Sequence, residues 1–252
     1  MIEVIDGPVE CEFVAGDPTL PTLVFLHEGL GSIDLWRGVP GEVADSSGGA
    51  PVLTFDRHGY GASGPAQTPR PTTYMHHEAD LVLPAVLEAF GIEEPILIGH
   101  SDGASIALLY AGAGHQVAGL VCLAPHVFVE PESVAGSEQA RVIFESTDMC
   151  ERMGRHHNDP AATFWGWNDV WLSDEFRTWN IEDRLPRITA PVLAIQGLDD
   201  QYGTIAQLDA IAAGVSGRFE RRVLDGVGHS PHTEARTEVV EAITEFVSRR
   251  SR

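Results

Sequence analysis

Short apolar runs that leave no side for water constrain this chain more than any other feature. Leu23-Val24-Phe25-Leu26, Ile96-Leu97-Ile98 and Val192-Leu193-Ala194-Ile195 read as strands buried on both faces, and helix-type patterns separate them. That alternation predicts an α/β fold with a mainly parallel central sheet and helices on both faces. Strands are expected over 22–26, 51–55, 95–99, 119–124, 191–196 and 219–224. A helix is expected from Tyr74 to Phe90, with Leu81, Leu83, Val86, Leu87 and Phe90 inward and Gly91 as its C-cap. The last helix is expected over 233–247, with Val239, Val240, Ile243 and Phe246 inward. In sheets of this kind the site lies beyond the carboxyl ends of the strands.

One such strand end carries Gly99-His100-Ser101-Asp102-Gly103, followed by the helix-type run Ala104 to Leu109. Gly-x-Ser-x-Gly between strand and helix is a nucleophile elbow: a sharp turn exposes the serine hydroxyl above the sheet. The flanking glycines make room for that turn. An ordinary turn serine would not need both flanking elements.

A serine hydroxyl is a weak nucleophile until a base takes its proton, and the base needs an orienting acid. Both types follow in the order serine, acid, histidine. The acid candidates, Asp199 and Asp200, stand in the turn after the run Pro191 to Gln196. The base candidate, His229, lies in Val227-Gly228-His229-Ser230-Pro231-His232, after the run Phe219 to Leu224. Near the start, His27-Glu28-Gly29-Leu30-Gly31-Ser32 follows the strand ending at Leu26; a glycine-bearing loop there lets backbone N–H groups approach a substrate oxygen.

With these motifs, and with Asp56-Arg57-His58-Gly59-Tyr60-Gly61-Ala62-Ser63-Gly64 after the strand at 51–55, the chain resembles the cofactor-free serine hydrolases of the α/β-hydrolase superfamily along nearly its whole length. The resemblance implies Ser101 as nucleophile, His229 as base and Asp200 as acid. Relatives carry the acid three places after the glycine that ends its strand, which selects Asp200 over Asp199. It also implies an oxyanion hole made by the N–H groups of Gly29 and Asp102. Two residues depart from the family pattern. Glu28 stands where relatives usually have glycine, and Asp102 where many carry an uncharged residue. If both are ionised beside the hole, anionic substrates are repelled. If instead Asp102 caps its helix and Glu28 pairs with an arginine such as Arg57, most of that field cancels.

The stretch 129–187 breaks the alternation and reads as a helical cap inserted into a core of 1–128 and 188–252. Its aromatics include Phe144, Phe164, Trp165, Trp167, Trp171, Phe176 and Trp179. Most of these should pack the cap onto the core; one or two, with Trp165 and Trp167 as candidates, should line the substrate pocket beside Glu28. His126, just past a strand end, is a further candidate. The pairs His76-His77 and His156-His157 carry no supporting ligand pattern, so they are read as solvated histidines and no metal is expected. No nucleotide-binding glycine pattern follows a strand, so no cofactor is expected either.

The net charge is −21, with 16 basic residues that are all arginine. Such a field disfavours nucleic acid and anionic lipid as partners and leaves a small molecule as the expected one. The basic end Arg249-Arg250-Ser251-Arg252 is too short to outweigh it. No apolar run reaches membrane-spanning length, Met1 to Asp6 does not look like a signal peptide, and three scattered cysteines imply no disulfide framework, so a cytoplasmic location is expected. Oligomeric state has no signature. The leading expectation is hydrolysis of a carboxylic ester or lactone through an acyl-enzyme. The alternatives are C–C bond hydrolysis of a β-diketone-like product, or a receptor on the same fold with little turnover.

Overall fold

A computed structural model describes residues 1–249; Arg250, Ser251 and Arg252 of the basic end lie outside the described residues. The chain opens with β1 (Ile2–Val4), β2 (Gly7–Val9), β3 (Cys11–Val14) and β4 (Leu23–Leu26), then α1 (Val39–Ser46) and β5 (Val52–Phe55). Next come α2 (Tyr74–His77), α3 (Leu83–Ala89), β6 (Ile96–His100), α4 (Asp102–Gly112) and β7 (Gly119–Leu123). A helical stretch follows, with α5 (Pro131–Ser146), α6 (Met149–Met153) and α7 (Pro160–Leu172). The chain ends with β8 (Val192–Gly197), α8 (Ala206–Gly214), β9 (Phe219–Leu224), α9 (Pro231–Glu234) and α10 (Arg236–Ser248).

Seven strands form one sheet in the order β3-β5-β4-β6-β7-β8-β9. Only the β3–β5 pairing in it is antiparallel, while β1 and β2 make a separate hairpin. Each strand expected from an apolar run is present within a residue of its place. Their lack of a polar face has a direct cause: consecutive residues enter different cores. Leu23 and Phe25 pack with Trp36, Val39, Val43, Ile243 and Phe246 on one face, where α1 and α10 lie. Val24 and Leu26 pack with Val82, Val86, Ala104 and Leu108 on the other.

The expected helix over 74–90 differs in its middle. A π-helical turn at Glu78–Val82 separates α2 from α3. Its wider turn shifts the register, so Leu81 faces solvent, 44% exposed, while Val82 and Leu83 are buried. Gly91 ends the helix as expected, at φ 65°, with the Ile92 N–H returning to the Leu87 carbonyl. The last helix is broken at Ala235, and Val240 is only half-buried. Strands β1 to β3 have no counterpart in the apolar pattern. They are short, and Phe13 and Val14 at the sheet edge are exposed. No helix among the described residues is long and apolar enough to cross a membrane.

Candidate active site

At the end of β6 the backbone of Ser101 takes φ 51° and ψ −116°, a conformation non-glycine residues rarely hold. Its N–H is anchored to the Leu123 carbonyl at 2.9 Å, and α4 starts at the next residue. The two flanking glycines are required by crowding. A methyl group on Gly99 would collide with the Gly103 carbonyl, and one on Gly103 would collide with the Leu26 carbonyl at the end of β4.

The loops after β8 and β9 bring two side chains to this serine. His229 Nε2 lies 2.9 Å from Ser101 Oγ, and His229 Nδ1 lies 2.9 Å from each Asp200 oxygen. Asp200 also accepts from Gln196 Nε2 at 2.6 Å and from the Tyr202 N–H at 2.8 Å. A carboxylate among donors makes Nδ1 the protonated ring nitrogen, which leaves the Nε2 lone pair for the serine proton. Burial pushes the Asp200 carboxyl up, but the hydrogen bond and charge of His229 outweigh it and hold the group below its usual range. The other acid of the first loop and the other histidine of the second sit elsewhere. Asp199 is exposed, and His232 is buried against Trp36 and His100, where burial pushes its pKa down to about 3.

A cavity of about 230 Å³ opens over Ser101. Glu28, Gly29, His126, Trp167, Trp171 and Tyr202 are among its walls. Among the described residues, no acceptor takes the Gly29 or Asp102 N–H. Gly29 also allows a close approach: a methyl there would collide with the Trp167 indole. His126 lies in the wall, its ring 5.7 Å from that of His229 and packed edge-on to Trp171. Burial, reinforced by His229, pushes its pKa down to about 3, so it presents a neutral imidazole. Trp165, expected in the pocket, turns away: it packs on Phe144 and Phe164, with the Arg141 guanidinium 5.4 Å from its ring.

The partners of the two departing acids differ from the expected ones. Arg57 and Asp102, both fully buried, lie 3.8 Å apart, and Asp102 accepts from the Tyr74 hydroxyl at 2.5 Å. Burial is the main reason that the Asp102 carboxyl is raised, with Arg57 working against it. Glu28 instead faces His100, at 3.6 Å from Nδ1. Burial pushes its carboxyl up, but the His100 interaction more than reverses this and holds it well below the usual range. The His100 Nε2 atom is 2.7 Å from the His229 carbonyl, so it must donate. His157 is not solvated either: it accepts from the Gly61 N–H and donates to the Leu30 carbonyl. No group of three ligating side chains suited to a metal occurs among the described residues. Trp171 could have been found from its i, i+4 spacing to Trp167 on α7. Tyr202 and Gln201 line the cavity with no pattern in the sequence to mark them.

The family model of the alpha/beta hydrolase fold matches residues 21–146, half of the chain. Among solved structures, one reported for carboxylesterases of the thaumarchaeon Nitrososphaera gargenis superposes with a TM-score of 0.81 at 18% identity, covering 99% of this chain and 98% of that one. An esterase from Exiguobacterium antarcticum gives 0.75 at 18% identity, with 98% of each chain covered. Est816, described as an N-acyl homoserine lactone degrading enzyme, is 26% identical with a TM-score of 0.71, over 94% of this chain and 96% of that one. No curated protein matches the chain in sequence.

Proposed function

The chain belongs to the alpha/beta hydrolase fold family, and on that premise we propose that this hydrolase cleaves carboxylic esters or lactones through an acyl-enzyme on Ser101. The observation that carries the reading is the unbroken hydrogen-bond chain from Ser101 Oγ through His229 to Asp200. In this mechanism His229 Nε2 takes the serine proton as Oγ attacks the carbonyl carbon. The Gly29 and Asp102 N–H groups receive the developing oxyanion, in the manner worth about 10²–10³ in kcat per donor. His229 then gives the proton to the departing alcohol oxygen, or to the ring oxygen of a lactone. Water, deprotonated by the same imidazole, attacks the acyl-serine and releases the acid, restoring Ser101. No step needs a metal or cofactor.

The similarity to Est816 supports including lactones. A cavity of about 230 Å³, walled by Trp167 and Trp171, favours small, partly apolar substrates over long acyl chains. A panel of short esters and lactones, with Ser101→Ala as the blank, tests the reading. Turnover that disappears in the variant is expected. Turnover that survives in it overturns the nucleophile, and ligand-induced stabilisation with no product would favour a receptor.

A further inference from the structure

A buried charge pair lies behind both oxyanion donors, and the reaction as written makes no use of it. Arg57 Nη2 donates to the Glu28 carbonyl at 2.8 Å and lies 3.4 Å from the His27 carbonyl. His27 Nδ1 adds a second bond to the Glu28 carbonyl at 2.8 Å and the Gly31 N–H a third at 3.1 Å, while His27 Nε2 accepts from the Arg57 N–H at 3.1 Å. The Glu28 carbonyl belongs to the same peptide unit as the Gly29 N–H. In a trans peptide these two groups point in opposite directions, so fixing the carbonyl inward aims the N–H at the cavity. The same Nη2 atom is 3.8 Å from the carboxylate of Asp102, whose own N–H is the other donor.

We propose that the Arg57–Asp102 pair is the positioning element of the oxyanion hole, one guanidinium setting the direction of both N–H donors. The inference rests on the hydrolase reading above. A purely structural role fits poorly. Arg57 also lies 4.5 Å from the Tyr60 ring, but a buried ion pair is a poor source of stability compared with apolar packing. The arrangement instead places a full positive charge on the carbonyl side of the Gly29 peptide, which strengthens its N–H as a donor to an anion.

The test compares Arg57→Met, Arg57→Lys and Asp102→Asn with the wild type, each checked for a native unfolding transition. Kinetics on a short neutral ester are measured together with inhibition by a boronic acid, which forms a tetrahedral anionic adduct on serine. Arg57→Met should lose about 10²-fold in kcat, the size expected for a misplaced catalytic donor. KM should stay within about threefold, and boronate affinity should fall in step with kcat/KM. Arg57→Lys should lose about tenfold, an intermediate effect, because the charge survives without the fork. The acidic limb of the pH profile should not move, since His229 is untouched. A folded Arg57→Met with wild-type kcat and boronate affinity overturns the inference, as does a loss confined to KM or one that tracks a shifted limb. If Arg57→Met fails to fold, Arg57→Lys and Asp102→Asn decide by the same measures. A wild type that turns over no ester and takes no fluorophosphonate label removes the hydrolase reading, and this inference with it. A wild type that does both, alongside indifferent variants, removes the inference alone.

Discussion

Replacing Asp200 by asparagine separates orientation of the base from its mere presence. Both oxygens of Asp200 already receive protons: one from the Tyr202 N–H at 2.8 Å and the other from Gln196 Nε2 at 2.6 Å. Asparagine has one acceptor oxygen. With that oxygen on Tyr202, the new amide NH₂ faces Gln196 and His229. Gln196 can turn its amide, but then the Gly203 carbonyl loses its 3.1 Å donor. The remaining amide proton points at His229 Nδ1, which must now accept. The imidazole proton moves to Nε2 and blocks the lone pair that Ser101 needs. A wrong tautomer of this kind costs about 10⁴ in kcat, or about 5.5 kcal/mol of barrier. The disrupted buried hydrogen bonds cost about 1–3 kcal/mol of stability, which leaves the fold intact. Steady-state hydrolysis of an activated ester at the pH plateau measures the effect, and ¹⁵N spectra of His229 report the tautomer. Asp199→Asn, at an exposed site, should stay near wild type. Asp200→Asn with more than about a tenth of wild-type kcat, or an equal collapse in Asp199→Asn, would refute the argument.

Ser101→Ala should lose fluorophosphonate labelling and about 10⁴-fold or more in kcat, because triad members act as a unit; one equivalent of label on the variant would refute this. Gly29→Ala should lose at least tenfold in kcat/KM, since the added methyl must displace the Trp167 indole from the cavity wall; a wild-type rate would mean that the loop yields freely. His232 gives a pH-dependent stability. Its folded pKa is pushed from 6.5 down to about 3, so the unfolded chain takes up a proton below pH 6.5 that the folded chain refuses. Stability is therefore lost as pH falls through that window, by about 2 kcal/mol at pH 5 for one such group. The unfolding midpoint of His232→Gln should fall less between pH 7 and pH 5 than that of the wild type, and parallel declines would contradict it.

Much of the site was legible because its parts follow strands whose signal is strong. Leu23 to Leu26, Ile96 to Ile98 and Val192 to Ile195 are apolar on both faces, so their ends, and the residues just beyond them, are located by burial alone. Ser101 and Asp200 stand just past such ends, while His229 follows β9, whose Arg221, Arg222 and Val223 face solvent. What periodicity missed was where the backbone departs from an ideal period. The π-helical turn at Glu78–Val82 adds a residue per turn, and the expected inward face slips past Leu81. The edge strand β3 has too little burial to leave a pattern, since its Phe13 and Val14 stand in solvent.

Side-chain partnership is the other thing a linear reading could not supply, and Glu28 and Asp102 make the point. From sequence, either both put bare carboxylates beside an anion hole, or Asp102 caps its helix and an arginine such as Arg57 offsets Glu28. In three dimensions Arg57 points its guanidinium at the Glu28 carbonyl and at the Asp102 side chain instead. His100 Nε2 donates to the His229 carbonyl, and its Nδ1 faces the Glu28 carboxylate at 3.6 Å. Asp102 thus stands beside a buried guanidinium, and Glu28 beside the His100 ring. A bare carboxylate about 8 Å from a substrate anion would repel it by about 2 kcal/mol at an effective dielectric near 20. For Asp102, beside Arg57, most of that repulsion is gone. What remains is the field of the −21 surface, which salt screens beyond about 10 Å at 0.1 M ionic strength. In the proposed reaction the shape of the Trp167–Trp171 wall, with the His126 ring packed on it, is then the main filter on what reaches Ser101.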